Sequence, residues 1–231
     1  MSDVTEIAQP TTATKAATPR DKRKRRRFER IKAVGRELFL KDGYQATTLR
    51  AIAKKARVSA ATIVVHFGDK DELVALLYSE DQKTITEQAY LELSESKGFL
   101  DQSIDGFRHY YRYFALYPNF IRAILQTTSL YHPTSMPSRP AGESAMRSVT
   151  RIKRTVEIAR RRSEITIEES DDALAFLIFG VYLTEIRWWL GSGNLDVELG
   201  LARLRHALSI LQRGFSSSTN LPVCKDAAAP Q

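Results

Sequence analysis

The sequence holds a single cysteine, Cys224, among 231 residues. One thiol cannot close an internal disulfide, and it excludes any metal site built from several cysteines. Histidine is nearly as scarce. His66, His109, His132 and His206 are all there are, and none stands in an HExxH pattern. Long apolar runs are missing too. The longest uncharged apolar stretch, Ala173 to Leu183, has 11 residues, whereas a bilayer-spanning helix needs about 20. The first 19 residues contain no apolar segment of the kind a secretory signal carries. These absences predict a cytoplasmic protein in a reducing compartment, without a membrane span.

Catalytic patterns are also lacking. There is no P-loop, no dinucleotide-binding glycine fingerprint and no GxSxG nucleophile elbow. The paired acids Glu168-Glu169 and Asp171-Asp172 sit at an expected helix start, where the dipole accounts for them. Cys224 falls in the tail, where a thiol is incidental. The sequence therefore predicts no catalytic residue, no metal and no cofactor.

What is present is charge, unevenly spread. The chain carries +8 overall. Residues 20–70 hold 16 basic and 5 acidic side chains, a net +11. Residues 1–19 carry −1 and residues 71–231 carry −2. A basic block beside a near-neutral remainder is the footprint of a polyanion-binding module joined to something else.

The rest is helical periodicity. Residues 1–19, rich in Thr and Ala, read as a disordered leader. Residues 20–27 read as a basic arm. Phe28, Ile31, Gly35 and Leu38 recur at spacings of 3 and 4, predicting an amphipathic helix stopped at Asp42-Gly43. Thr47 or Thr48 offers a cap for a second helix over 49–56, and Ser59 caps a third over 60–66. Two short helices around a tight turn, in a basic segment, form a helix-turn-helix signature. Further helices are expected over 69–94, 100–116, 119–130, 143–163, 171–190 and 197–215. A loop with three prolines separates them at 132–142. No strand pattern is visible, so the fold class is all-α.

Phe39, Gly43-Tyr44, Thr47-Thr48, Ile52-Ala53, Val58-Ser59, Thr62, His66-Phe67, Lys70 and Leu73 resemble the N-terminal pattern of the tetracycline-repressor-like (TetR) transcriptional regulators, without a gap over residues 28–77. Two positions depart from that pattern. Arg57 stands where the family often has Gly, and Val64 where it usually has Tyr. The resemblance implies an N-terminal three-helix DNA-binding domain with a helix-turn-helix over 20–70. It also implies a C-terminal helical domain for effector binding and dimerisation over 71–215. A flexible tail is expected over 216–231.

The expected DNA contacts begin with the arm: Lys22, Arg23, Lys24, Arg25, Arg26 and Arg27. Tyr44, Thr47, Thr48, Arg50, Arg57, Ser59 and Lys70 follow, with Thr47, Thr48 and Lys70 on phosphates. The recognition helix adds Ala60, Ala61, Thr62, Val64, Val65 and His66. Four of these, Ala60, Ala61, Val64 and Val65, cannot hydrogen-bond a base edge, but they can pack on thymine methyls.

An aromatic cluster at 107–120 reads first as core. The resemblance adds a small-molecule pocket, with His109, Tyr113, Tyr117, Phe179, Tyr182 and Glu185 as candidates. Leu201, Leu204, Leu208 and Leu211 recur at 3 and 4 in the last helix, an a/d-type stripe. With Phe176 and Val181 they are the expected homodimer interface. The predicted function is sequence-specific, dimeric binding to a palindromic DNA operator, released by a small-molecule effector. The alternative is an architectural DNA-binding protein with no effector.

Overall fold

The computed structural model describes residues 18–127 and 140–215. The described residues are all-α, in nine helices: α1 Pro19–Ala46, α2 Leu49–Ala56, α3 Ala60–Phe67, α4 Lys70–Leu91, α5 Phe99–Leu116, α6 Pro118–Thr127, α7 Pro140–Arg161, α8 Asp171–Gly191 and α9 Val197–Phe215. Residues 1–17 of the expected leader, the tail 216–231 and most of the proline loop lie outside the described residues.

Local chemistry sets most helix starts. Ser59, Asp69 and Ser170 each accept a hydrogen bond from the backbone N–H three residues on, satisfying one of the orphan donors of a helix N-terminus. The leader boundary needs correction. Thr18 accepts from the Asp21 N–H while the Asp21 carboxylate accepts from the Thr18 N–H, with Pro19 at the first helical position. This reciprocal cap starts α1 at Pro19, so the expected arm is helical and continuous with the amphipathic segment. Gly43, at φ 81°, kinks α1 where the sequence predicted its end. The left-handed region costs glycine little. At the far side of the proline loop, α7 begins at Pro140, two residues before the loop's expected end.

Helices α1–α3 form a head around Ile31, Phe39, Ile52, Ala56, Ile63 and Phe67, all buried. The start of α4 completes it: Leu73 lies 3.3 Å from where a side chain on Gly35 would begin. α4 then runs on into the body, where it packs on α5 and α7. One continuous core links the two. In the body, the guanidinium of Arg151 is buried and donates to the carbonyls of Ala89 and Gln102. It fills the space left by Gly106, where a Cβ would stand 1.8 Å from it.

By length and composition α8 is apolar enough to cross a membrane. Here it is a core helix: Leu174, Ile178, Phe179, Tyr182, Ile186 and Trp189 are buried, and it packs against α6, α7 and α9.

Candidate nucleic-acid interface

Thr48 caps α2, accepting from the Ala51 N–H at 3.1 Å. Arg57 then takes the left-handed conformation, φ 53° and ψ 52°. Its N–H donates to Lys54 and that of Val58 to Ala53. This closes the turn where glycine would be less strained. The turn delivers Ser59 as the cap of α3. Ile63 and Phe67 anchor α3 in the head, which sends Ala61, Val64 and Val65 outward. Val64 is 51% and Val65 82% exposed. Large apolar side chains this open, on a short helix beside many cations, suit a major-groove surface that meets base methyls.

Not every expected contact is available. Thr47 is buried, and its hydroxyl donates to the carbonyls of Gly43 and Leu38. It ties the kink of α1 to α2 and has no reach to a phosphate, which corrects the reading of Thr47 as a DNA ligand. Thr48 and Arg50 are exposed. The Lys70 ammonium donates to the Tyr44 carbonyl at 3.0 Å and sits 3.9 Å from the centre of the Tyr44 ring. The Tyr44 hydroxyl donates to Asp71. Tyr44 and Lys70 are thus mutually positioned at the start of α4. The His66 ring is edge-on to Phe28 at 6.3 Å, while Phe28 stacks on Phe67 at 4.6 Å.

The arm brings the remaining charge to the same face. Arg20, Arg23, Lys24 and Arg27 line a surface groove whose other side is Val65 and His66 of α3. Lys22 to Arg27 are all exposed. Among the described residues, none of these six cations is in an ion pair, whereas Lys32, Arg36 and Lys55 all are. Pairs such as Lys22 and Arg26, four apart on one helix, repel each other. The only acid in the run, Asp21, is engaged with Thr18, whose hydrogen bonds hold its carboxyl below the usual range.

The body contains a cavity of about 50 Å³ among α4–α8. Of the six expected ligand residues, Phe179 and Tyr182 line it. The other four are placed elsewhere. His109 faces Glu92 at 3.5 Å, Tyr113 donates to Asp81, Tyr117 packs on Tyr113, and Glu185 pairs with Arg203 of α9. The sequence reading missed Tyr78, Phe114, Ile121, Ile124, Leu125, Ser144, Ala145, Ser148, Leu183 and Ile186. Their common feature is position around a space shared by five helices, for which no local pattern exists.

The expected dimer seam is also corrected. Leu201, Leu204 and Leu208 are buried within one subunit, on the side where α9 packs against α5 and α8. Leu211 and Val181 are half-buried against the same core. Phe176 alone of the six is exposed. The outward apolar face is instead Phe176, Leu177 and Trp188 of α8 with Leu199 and Ile210 of α9. Arg203 lies over the Trp188 ring, 3.8 Å from its centre.

Residues 31–77 match the family model of the bacterial regulatory proteins, tetR family. This stretch, the head, is thus similar to the DNA-binding segment of that family. A curated relative, an uncharacterized helix-turn-helix regulator YvkB of Bacillus subtilis, is 46% identical over 52 residues, 22% of this chain. The match spans 28% of that relative's length. The fold likeness extends further. The tetR-family repressor FadR of Thermus thermophilus, solved with lauroyl-CoA, superposes with a TM-score of 0.66 at 20% identity, over 88% of this chain and 98% of that one. RolR, solved with resorcinol, gives 0.62 at 15% identity, over 86% and 96%. At these identities the likeness is one of fold.

Proposed function

We propose that this chain is a dimeric, sequence-specific DNA-binding transcriptional regulator of the tetR family, a repressor released from a palindromic operator by a small molecule. The observation that carries the reading is the shared face of α3 and the arm. Exposed Val65 of α3 shares a groove with Arg20, Arg23, Lys24 and Arg27 of the arm, and exposed Val64 adjoins it in sequence; the arm's cations have no ion-pair partner among the described residues. Cations of this kind supply sequence-independent attraction to phosphates, and groove contacts supply specificity. Thr48, Arg50, Arg57, Ser59, Thr62, Tyr44 and Lys70 complete the DNA face in this reading. It assigns no catalysis and no cofactor, and it places the protein in the cytoplasm, with the chromosome.

Two heads must engage half-sites one helical turn or a multiple apart, about 34–36 Å. The outward face of α8 and α9 joins the two subunits, burying Phe176, Leu177 and Trp188 against their copies. The cavity in the body is the effector site. Its wall includes Tyr78 of α4, the helix whose start completes the head, so an occupant that displaces this wall favours a different head spacing. Release is then limited to the ligand's differential affinity for the two states. The ligands held by the solved FadR and RolR structures support an effector in this fold.

Selection of bound duplexes from random DNA tests the reading. A palindromic consensus is the expected result. Retention of all sequences alike would overturn it in favour of an architectural DNA-binding protein.

A further inference from the structure

The cavity has a lining whose chemistry is narrow. Among the described residues, no Asp, Glu, Lys, Arg or His side chain lines it. Arg147 stands behind Ser144, with its guanidinium shared among Gln82, Ser79 and Ser144. Ser148 is held as well, accepting from Gln82 at 2.8 Å. Two polar groups on the wall differ from these. Among the described residues, neither the Tyr78 nor the Tyr182 hydroxyl has a hydrogen-bond partner. Burial pushes both phenols well above their usual pKa, so each is neutral, with one donor and one acceptor to offer. The Tyr182 ring is stacked on Phe107 at 4.5 Å, which fixes its direction. Tyr182 as a whole is 3% exposed.

Resting on the effector reading above, we propose that the cavity takes an uncharged, ring-sized molecule bearing one hydroxyl or carbonyl oxygen, which pairs with the Tyr78 or Tyr182 hydroxyl. A carboxylate would meet no counter-ion among the described lining residues. A purely apolar occupant would leave the tyrosine hydroxyls unpaired. The size limit follows from the space. A cavity of about 150 Å³ holds a benzene ring, and this one is about 50 Å³. A single ring therefore already moves a wall, and larger ligands must move more.

Phenol, toluene and benzoate share a ring and differ in hydrogen bonding and charge. Calorimetric titration of the full chain without DNA should give phenol about tenfold tighter binding than toluene, the factor that one buried hydrogen bond supplies. Benzoate should bind at least about tenfold more weakly than phenol, for want of a counter-ion. In the Tyr78→Phe/Tyr182→Phe double variant, phenol affinity should fall to that of toluene, with a melting curve like the wild type's as the folding check. The single variants Tyr78→Phe and Tyr182→Phe show which hydroxyl carries the loss. Absence of phenol binding, benzoate binding as tight as phenol, or an unchanged phenol-to-toluene ratio in the folded double variant would each overturn the proposal. Phenol binding that leaves operator affinity unchanged would instead break the effector reading while keeping the ligand assignment.

Discussion

The guanidinium of Arg36, on α1, is paired with the carboxylate of Asp81, on α4. One is in the head and the other in the body, and the pair is half-buried. Burial opposes the Arg36 charge, but the Asp81 hydrogen bond and charge outweigh it and raise its pKa. Asp81 also accepts from Tyr113 of α5. The pair therefore fixes how the head sits on the body. A double-mutant cycle with Arg36→Met and Asp81→Asn should give a coupling of about 1–2 kcal/mol in thermal unfolding. Additive effects of the two substitutions would show that the pair contributes nothing of its own.

Lys70 should act on phosphates in a sequence-independent way while it supports Tyr44. Lys70→Ala should weaken binding to every duplex alike. It should also flatten the dependence of log affinity on log salt by about 0.9. Fluorescence anisotropy at several salt concentrations reads both effects. A change in the preferred sequence would show that Lys70 contacts a base.

The apolar face of α3 predicts readout by methyl contact. On a selected operator, replacing thymine by uracil at the contacted positions should weaken binding without changing base pairing. Arg50, exposed on α2, is the hydrogen-bonding partner in this account. Arg50→Ala should relax preference at one base pair by about 1–3 kcal/mol. If no uracil substitution has any effect, Val64 and Val65 do not read thymine.

How much of this was legible in the sequence depends on the range of the interaction. The caps are local chemistry: Ser59 is where the sequence put it, and of the two candidates Thr47 and Thr48 it is Thr48 that caps α2. The helical arm was hidden because the signal that starts it, Thr18 with Asp21, is two residues outside a dense run of like charge. The stripe at Leu201, Leu204 and Leu208 was visible, but a spacing of 3 and 4 describes an internal core and a subunit seam equally. Only the packing of α9 on α5 decides between them. The aromatic density on α5 likewise became core: Phe107, Tyr110 and Tyr111 all pack against Tyr182. The cavity wall comes largely from α6, α7 and α8, a convergence that no single helix records.

That distinction between core and seam gives its own prediction. Leu177→Glu places a charge on the outward face of α8 and should yield a folded monomer by light scattering. Leu208→Glu puts an unpaired charge inside the subunit and should destabilise the fold itself, with a cost of several kcal/mol. A folded monomer from Leu208→Glu, with Leu177→Glu still dimeric, would restore the internal stripe as the interface.

The central claim is that the arm and α3 together make a sequence-specific DNA-binding surface. The most direct test is the affinity of the full chain for its selected palindrome against a scrambled duplex of equal length, at one fixed salt concentration. The account predicts tighter binding to the palindrome by about a thousandfold or more. Equal affinity for the two duplexes would contradict it.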